Sequence, residues 1–283
     1  MTYTVVDGVA TDSLPVTDRG VAYGHGLFET MLLHQGVLPL RQQHCERLLR
    51  DAPTLGINIT AQQLEVNIDS LIQGLSLEQC QSGIVKTVVT AGSGGRGYAS
   101  PTVTEATPRV ITQYFPLPTN IQIQRQQGIS LTECVYLLPL NSVLAGIKHL
   151  NRLDQVMARS EWAEEYDDGL MFSAGGELIE TTRANIFIRL SSGWMTPRLN
   201  QAGVRGVMRE LLLDKLFASA GLEVRQGTIS REQLASASEL FSCSSVRGVV
   251  PVISTPSTGT VAIGSDTKLL QRALQNNYQG FLC

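Results

Sequence analysis

Lys148 stands in a sequence setting that favours nucleophilic chemistry. It lies in the stretch 144–151, LAGIKHLN, where a cation is set among apolar residues just ahead of a predicted helix. Lysine is among the residues least often buried, and burial lowers its pKa, so that the neutral amine needed to form a Schiff base becomes available. The alternative is a lysine whose ammonium group reaches solvent at a helix start, and spacing alone favours it.

Glu180 is a carboxylate at a predicted strand end. It follows Ile179 and precedes the stretch 181–185, TTRAN, where the chain is predicted to leave one strand and begin another. Loops held by strands often carry functional groups, and a carboxylate there could keep a heterocyclic nitrogen protonated. An exposed surface charge is the alternative.

Three further segments could bind an anion. Residues 203–209, GVRGVMR, are predicted to open a helix with no acidic residue in its first turn, which leaves backbone N–H groups and the positive end of the helix dipole for a phosphate. Arg47 could add a charged fork, and the pair Ser244 and Ser245 could add hydroxyls. Taken singly, each is also consistent with a surface arginine or an ordinary glycine turn.

A glycine-rich loop at 92–97, GSGGRG, lacks the lysine of a P-loop and the spacing of a dinucleotide-binding turn. Because the planar guanidinium of an arginine suits carboxylates, Arg96 and the following Tyr98 are candidates for binding an anionic organic substrate; a flexible surface turn is the alternative.

His25, in the stretch 23–29, is interpreted as a turn or pocket-wall residue, since the four histidines show no metal-binding spacing.

Composition narrows the class of protein. The 283 residues are 43% hydrophobic and 17% charged, with a formal net charge of −3, which indicates a folded protein and no basic footprint for nucleic acid. Five scattered cysteines without a C-x-x-C pair favour reduced thiols. No apolar run reaches the roughly 18 residues of a spanning helix, and no targeting segment is evident, so we expect a cytoplasmic protein that does not contact membranes.

The pattern of elements predicts an α+β fold in two parts. An N-terminal domain, 1–115, is predicted to contain hairpins, two helices (40–55 and 64–75) and two further strands (84–90 and 109–115). The prolines near 116–121 suggest a linker. The domain at 122–283 is predicted to contain strands at 171–173 and 185–188 about a Gly175-Gly176 turn, a strong helix after Gly206 and a last helix near 269–274. We also expect an amphipathic helix with Leu150, Leu153, Met157 and Trp162 on one side.

Taken together, these segments resemble the class IV aminotransferases, the fold-type-IV enzymes that use pyridoxal 5'-phosphate (PLP). The markers follow the family's order along nearly the whole chain: 18–20 (DRG), 24–29 (GHGLFE), His44, Arg47 and Leu48, Lys148, Glu180, 185–187 (NIF) and 203–209. The resemblance implies a small α/β N-terminal domain, a larger C-terminal domain with a β-barrel-like core that carries the lysine, and a homodimer.

The resemblance also implies a set of site residues. Lys148 is the catalytic residue and forms the Schiff base with PLP. The other implied cofactor-binding residues are Glu180 at the pyridine nitrogen and, at the phosphate, Arg47, Val207, Met208 and Ser245. The implied substrate-binding residues are Arg96, Tyr98 and His25. The branched-chain enzymes place a tyrosine shortly after the lysine, whereas Asn151 and Arg152 stand here, so the partner of the phenolic oxygen could be Arg152 or water.

Within the family, the stretches 144–153, 92–98 and 196–204 resemble those of bacterial aminodeoxychorismate lyases. That likeness implies a carbon–oxygen lyase of folate biosynthesis, which converts 4-amino-4-deoxychorismate to 4-aminobenzoate and pyruvate. Two alternatives are open. One is a D-amino acid or branched-chain aminotransferase of the same fold, and the other is a PLP-binding protein without catalytic activity.

Overall fold

The computed structural model describes residues 3–94, 97–100 and 107–281. The described chain packs as two compact units. The first contains the residues up to Leu117 together with the short segment Lys148–Asn151, and the second contains Pro118–Ile147 and the residues from Arg152 onward.

The first unit is an antiparallel sheet with helices packed on it. Its five strands have the order β2-β1-β5-β4-β3, and β3 pairs with β4 from Gly26 opposite Thr90 to Leu33 opposite Gly83. The elements are β1 (Tyr3–Val6), β2 (Val9–Ala10), α1 (Arg19–Tyr23), β3 (Gly26–Leu33), α2 (Arg41–Asp51), a 3-10 turn (Ala52–Leu55), α3 (Ala61–Leu77), β4 (Gly83–Thr90) and β5 (Arg109–Phe115).

Helix α3 confirms the sequence prediction closely. Thr60 and Gln63 form a reciprocal capping box at its start, which satisfies two backbone N–H groups that would otherwise lack partners. Ile68, Leu71 and Leu75 recur at helical spacing and are buried in the core of the unit, against side chains of the sheet. The helix predicted through residues 40–55 instead ends at Asp51 and tightens into a 3-10 turn that contains Pro53.

The second unit is a mixed nine-stranded sheet in the order β11-β10-β9-β12-β13-β6-β7-β8, with β14 paired to β13. Its elements are α4 (Ile121–Gln127), β6 (Ile129–Leu138), α5 (Leu153–Arg159), β7 (Asp168–Ser173), β8 (Leu178–Thr181), β9 (Asn185–Leu190), β10 (Gly193–Pro197), α6 (Val207–Leu211), a π-helical turn (Leu212–Leu216), α7 (Phe217–Ser219), β11 (Val224–Gly227), α8 (Arg231–Ala235), β12 (Glu239–Ser244), β13 (Gly248–Thr255), β14 (Gly259–Thr260) and α9 (Ser265–Asn277).

The sheet curls about one apolar core. Leu131 of β6, Phe172 of β7, Ile186 of β9 and Leu240 of β12 all belong to it, although three strands separate β9 from β7 in the sheet order. The α+β class and the barrel-like core are therefore confirmed. The helix after Gly206 is also confirmed, and it runs on through the π-helical turn to Ser219.

Ring stacking holds that helix on the sheet. Phe217 of α7 stacks with Phe187 of β9 at 5.5 Å between ring centroids and lies edge-on to Trp194 of β10 at 6.0 Å. All three rings are fully buried. Such pairs add about 0.5–1.5 kcal/mol each beyond their apolar burial, so they fix the C-terminal end of this helix on the sheet.

Two local predictions were wrong. The Gly175-Gly176 turn joins β7 to β8 rather than to the strand at 185–188, because the short strand β8 intervenes. Helix α5 spans only Leu153–Arg159, so Leu150 and Trp162 fall outside it. Leu153 and Met157 are exposed, and Ala158 is the buried residue of α5, so the apolar stripe does not cover the core of this unit.

Candidate active site

Lys148 lies on a short extended segment at the edge of the first unit's sheet. The Phe28 N–H donates to the Lys148 carbonyl at 3.0 Å, and the Leu150 N–H donates to the Gly26 carbonyl at 2.9 Å. Gly26 has no side chain to block this approach; a Cβ there would collide with Leu150 and the Val89 carbonyl. The predicted division put Lys148 in the larger domain, whereas this pairing with β3 groups it with the first unit.

The side chain of Lys148 is half-buried, and its Nζ lies 4.2 Å from the centroid of the Phe28 ring. A cation gains electrostatic energy over an aromatic face, while the ring also excludes water from one side of the amine. The backbone is therefore fixed by β3, and the amine stands in a partly dry setting where a nucleophilic lysine is expected.

A buried ionic cluster lies in the same unit, and we call Glu29, His44 and Arg47 the buried triad. His44 and Arg47 are three residues apart on α2, so both side chains project from one face of the helix toward Glu29 on β3. Arg47 Nε donates to Glu29 Oε1 at 2.7 Å, and Arg47 Nη2 donates to Oε2 at 2.5 Å. His44 Nδ1 lies 2.6 Å from the same Oε2.

The charges of the buried triad follow from these contacts. Burial alone would raise the pKa of Glu29, but Arg47 and His44 outweigh burial and lower that pKa to about 2. Burial lowers the pKa of His44, against the pull of Glu29. Because an ionised carboxylate only accepts hydrogen bonds, the neutral His44 ring carries its proton on Nδ1 and donates it to Glu29.

We expect acid to destabilise the first unit through the buried triad. A carboxyl group with a lowered pKa in the folded state stabilises that state above its ordinary pKa of 4.5, and the contribution is lost as the pH falls toward about 2. The full loss is about 3 kcal/mol of unfolding free energy. Urea unfolding at pH 7, 4.5 and 3 measures it, and Glu29→Gln should show a shallower decline over this range. An equally steep decline in the variant would contradict the assignment.

Glu180 lies in the second unit, in β8, one residue before the strand ends. It is buried, its Oε2 accepts the Val204 N–H at 2.8 Å, and Gln155 Nε2 lies 3.5 Å from Oε1. Gly203 makes this approach possible: its φ is +82°, and a Cβ there would meet Ile179 at 2.8 Å. The carboxylate is thus held in one orientation by the loop that leads to α6.

Arg152 also belongs to the surroundings of Glu180. Burial lowers the pKa of Arg152, while the negative charge of Glu180 raises it. An arginine stays charged under these conditions. Arg152 therefore remains a candidate for binding a phenolate oxygen, as the sequence suggested, whereas Asn151 donates its Nδ2 N–H to the Gly24 carbonyl at 3.1 Å in the first unit.

Val207 and Met208 are the first residues of α6, and both are buried. Gly206 is the N-cap residue and has no side chain, so the N-cap itself offers no side-chain hydrogen bond to the N–H groups of the first turn. The prediction that this turn has no acidic residue was wrong: the helix begins at Val207, so Glu210 falls in its first turn. Glu210 is paired with Arg209 at 2.7 Å, which offsets its charge.

Ser245 lies in the turn between β12 and β13, and its side chain is half-buried. Asn185 on the neighbouring strand β9 pairs with Cys243 near the end of β12, and its Nδ2 donates to the Val204 carbonyl at 2.8 Å. The second unit thereby brings together the sheet end that carries Ser245 and the loop that leads to α6.

His25, Tyr98 and Arg96 were predicted to bind substrate. His25 Nδ1 accepts from Arg19 Nε at 3.1 Å, and its Nε2 lies 2.7 Å from the Leu55 carbonyl, so both ring nitrogens have partners. Tyr98 is 89% exposed, and its ring centroid lies 5.6 Å from that of Tyr23. Arg96 lies outside the described residues.

Sequence reasoning gave no role to Arg19, which anchors the glycine-rich loop. Arg19 is buried, and besides His25 it donates to the Gly97 carbonyl at 3.1 Å and to the Tyr98 carbonyl at 3.4 Å. Its neighbour Asp18 caps α1. The only signal in the sequence was that Asp18 and Arg19 lie in the stretch 18–20. This stretch is a marker of the family, but it does not predict which groups Arg19 contacts.

Two other kinds of site are absent from the part of the chain that the structure describes. Among residues 3–94, 97–100 and 107–281, no group of three or more histidine, cysteine or acidic side chains is arranged to hold a metal ion. Over the same residues, no helix combines the length and the hydropathy that crossing a membrane requires.

Comparison with known proteins identifies the family. The profile described as "Amino-transferase class IV" matches residues 26–255. The aminodeoxychorismate lyase of Vibrio harveyi is 34% identical over 270 residues, covering 94% of this chain and 97% of that protein. A crystal structure of 4-amino-4-deoxychorismate lyase from Pseudomonas aeruginosa is similar with a TM-score of 0.88 and 35% identity, covering 96% and 98% of the two chains. D-alanine aminotransferase of Bacillus licheniformis is 26% identical over 267 residues, covering 94% and 92%.

The chain therefore belongs to the class IV aminotransferases, which are PLP enzymes. PLP requires an amine for its aldehyde, a carboxylate for its pyridine nitrogen and hydrogen-bond donors for its phosphate. The residues of this chain fit those requirements: Lys148 is half-buried against Phe28, Glu180 is buried and oriented by Val204, and the first turn of α6 has no side-chain cap.

Proposed function

We propose that this protein is a PLP-dependent 4-amino-4-deoxychorismate lyase, a carbon–oxygen lyase that forms 4-aminobenzoate and pyruvate on the route to folate. The observation that carries the proposal is the similarity to two aminodeoxychorismate lyases at 34% and 35% identity over almost the full length of both chains. Two aminotransferases are less similar: D-alanine aminotransferase of Bacillus licheniformis is 26% identical over 267 residues, and a putative branched-chain-amino-acid aminotransferase of Methanocaldococcus jannaschii is 29% identical over 241 residues.

We assign the cofactor contacts residue by residue. Lys148 would hold PLP through the aldehyde of the cofactor, and Glu180 would accept a hydrogen bond from the protonated pyridine nitrogen. The phosphate is bound by the guanidinium of Arg47, the N–H groups of Val207 and Met208 and the hydroxyl of Ser245. The oriented carboxylate of Glu180 and the uncapped turn at Val207 support these roles. When bound, PLP supplies an electron sink for a carbon that loses a proton beside the substrate amine.

Lys148 has a second task in this mechanism. With substrate bound, the neutral amine of Lys148 would remove the proton from C4 of the substrate as a general base. The bond between the ring and the enolpyruvyl oxygen breaks as the ring becomes aromatic, and the departing enolpyruvyl group takes up a proton, which the Lys148 ammonium can return, to give pyruvate. Glu180 stabilises the accumulating charge through the protonated ring nitrogen. Arg96, Tyr98 and His25 are assigned to the substrate, with Arg19 holding the carbonyls of Gly97 and Tyr98.

A product assay tests the function directly. The purified protein, loaded with PLP, is incubated with 4-amino-4-deoxychorismate and, separately, with D-alanine or a branched-chain amino acid plus 2-oxoglutarate. We expect 4-aminobenzoate and pyruvate in equal amounts from the first mixture and little glutamate from the others. Glutamate without 4-aminobenzoate would assign the chain to the aminotransferases instead. No product from any mixture, with PLP still bound, would indicate a binding protein without catalysis.

We further propose that the enzyme is a homodimer and acts in the cytoplasm. Val135 of β6 and Val156 of α5 are 85% and 60% exposed, and Leu153 and Met157 beside Val156 are exposed as well. Apolar side chains grouped in this way are typical of a surface that another protein chain covers. The free thiols of Cys45, Cys80, Cys134 and Cys243 suit a reducing compartment. Light scattering should give twice the mass of one chain.

A further inference from the structure

The buried triad of Glu29, His44 and Arg47 places a carboxylate directly on the arginine that we assign to the phosphate. Glu29 is 1% exposed and ionised. An ionised carboxylate repels a phosphate, so attraction between charges does not explain the presence of Glu29. The hydrogen bonds that Glu29 accepts from Arg47 and His44 do explain it.

Both oxygens of Glu29 are bonded to Arg47 in a bidentate arrangement. Arg47 uses Nε and Nη2, which together form one side of the planar guanidinium. This pairing fixes the plane of the group and therefore the direction in which the remaining N–H bonds, on Nη1 and Nη2, can point. A rigid fork loses less entropy when it binds an anion than a mobile one does.

His44 completes the support from the other side of the carboxylate. Its Nδ1–H occupies Glu29 Oε2 at 2.6 Å, so Glu29 is held by α2 at two places. Its Nε2 is buried without a hydrogen-bond partner among the described residues, and in this tautomer that nitrogen carries a lone pair. A lone pair does not attract a phosphate, so the contribution of neutral His44 is to hold Glu29.

We infer that Glu29 and His44 are positioning residues that fix the guanidinium of Arg47 for the phosphate of PLP. This inference rests on the proposed function, in which Arg47 binds that phosphate. The Glu29–Arg47 pair has no net charge, so the triad binds an anion by directed N–H groups rather than by an excess of positive charge.

The direction in which Glu29→Gln changes PLP affinity distinguishes a positioning role of Glu29 from simple charge repulsion. Glu29→Gln removes a negative charge near the phosphate, which by charge alone should strengthen PLP binding. If Glu29 orients Arg47, the same change should weaken PLP binding roughly tenfold or more, the effect of losing one charge-assisted hydrogen bond. Pyridoxal, which lacks the phosphate, should bind the variant within about twofold of the wild type, because its aldehyde still meets Lys148.

The experiment titrates the full-length protein, freed of cofactor by dialysis, with PLP and with pyridoxal. His44→Asn, whose amide can replace the Nδ1–H donor, should keep more PLP affinity than His44→Ala, and this pair tests the inference even if Glu29→Gln does not fold. Asp18→Asn is the matched control, since Asp18 is a fully buried carboxylate of the same unit, 3.1 Å from Arg109. It should leave the ratio of PLP to pyridoxal affinity unchanged.

The Arg47→Ala and Glu29→Gln measurements distinguish failure of the proposed function from failure of this inference. If Arg47→Ala weakens PLP and pyridoxal equally, the assignment of Arg47 to the phosphate fails, and the inference fails with it. If Arg47→Ala weakens PLP alone while Glu29→Gln strengthens it or leaves it unchanged, the proposed function stands and the positioning role is overturned. Equal PLP affinity of His44→Asn and His44→Ala would likewise overturn the part assigned to His44.

Discussion

Replacing Lys148 with alanine is expected to abolish turnover of 4-amino-4-deoxychorismate, with a loss of about a thousandfold or more. The variant lacks both the amine that bonds the cofactor and the general base for the C4 proton, and loss of a general base alone costs roughly 10²–10⁴-fold. The visible absorbance of the lysine-bound cofactor should disappear as well. Steady-state formation of 4-aminobenzoate and an absorbance spectrum of the purified variant measure the two effects.

Lys86 provides a matched control for this experiment. Its Nζ lies 5.4 Å from the centroid of the same Phe28 ring that Lys148 contacts, and it is also half-buried. Lys86→Ala removes a similar cation from the same ring without removing the amine on the segment beside β3. It should retain both the absorbance and most of the activity. Turnover and absorbance that persist in Lys148→Ala would overturn the assignment of the nucleophile.

Replacing Glu180 with glutamine should leave PLP bound and slow turnover by about a hundredfold or more. Glutamine preserves the size of the side chain and can still accept the Val204 N–H, so the loop leading to α6 should keep its shape. The amide has no negative charge to favour a protonated pyridine nitrogen, so the stabilisation of developing charge is lost. The effect should fall on kcat far more than on cofactor affinity.

Glu177 is the control for Glu180, because it is an exposed carboxylate just before β8. Glu177→Gln makes the same chemical change near the same strand and should leave kcat near the wild-type value. A Glu180→Gln variant with nearly normal kcat would refute its role at the pyridine nitrogen. If that variant instead lost PLP altogether, Glu180 would be assigned to maintaining the Gly203–Val204 loop.

Elements with their own periodicity could be predicted from sequence. Helix α3 shows its buried face through Ile68, Leu71 and Leu75, and the helix after Gly206 shows its start through that glycine. The strand end at Glu180 was predicted, but the Gly175-Gly176 turn was assigned to the wrong pair of strands, because the four residues of β8, LIET, are too few to show a period. Helix α5 was misjudged for a different reason: Leu153 and Met157 are apolar, yet the rest of their own unit does not cover them.

The candidate site was only partly accessible to sequence reasoning. Lys148 and Glu180 could be identified by residue type and by resemblance to a family. The part that Glu29 plays could not, because its pairing with Arg47 depends on how β3 packs against α2, and no local pattern encodes that packing. The anchoring of Gly97 and Tyr98 by Arg19 is likewise a contact between segments far apart in the chain.

The pairing of β3 with the segment Lys148–Asn151 has a consequence for how the protein is made. The first unit consists of two separate pieces of chain, so its sheet edge is completed only after the ribosome has passed Asn151. A nascent chain that stops at Leu117 has the helices and all five strands of the first unit, yet it leaves the Phe28 N–H of β3 without its native partner, the Lys148 carbonyl. The lysine therefore reaches its place late in synthesis, and an excised fragment 1–117 would lack it.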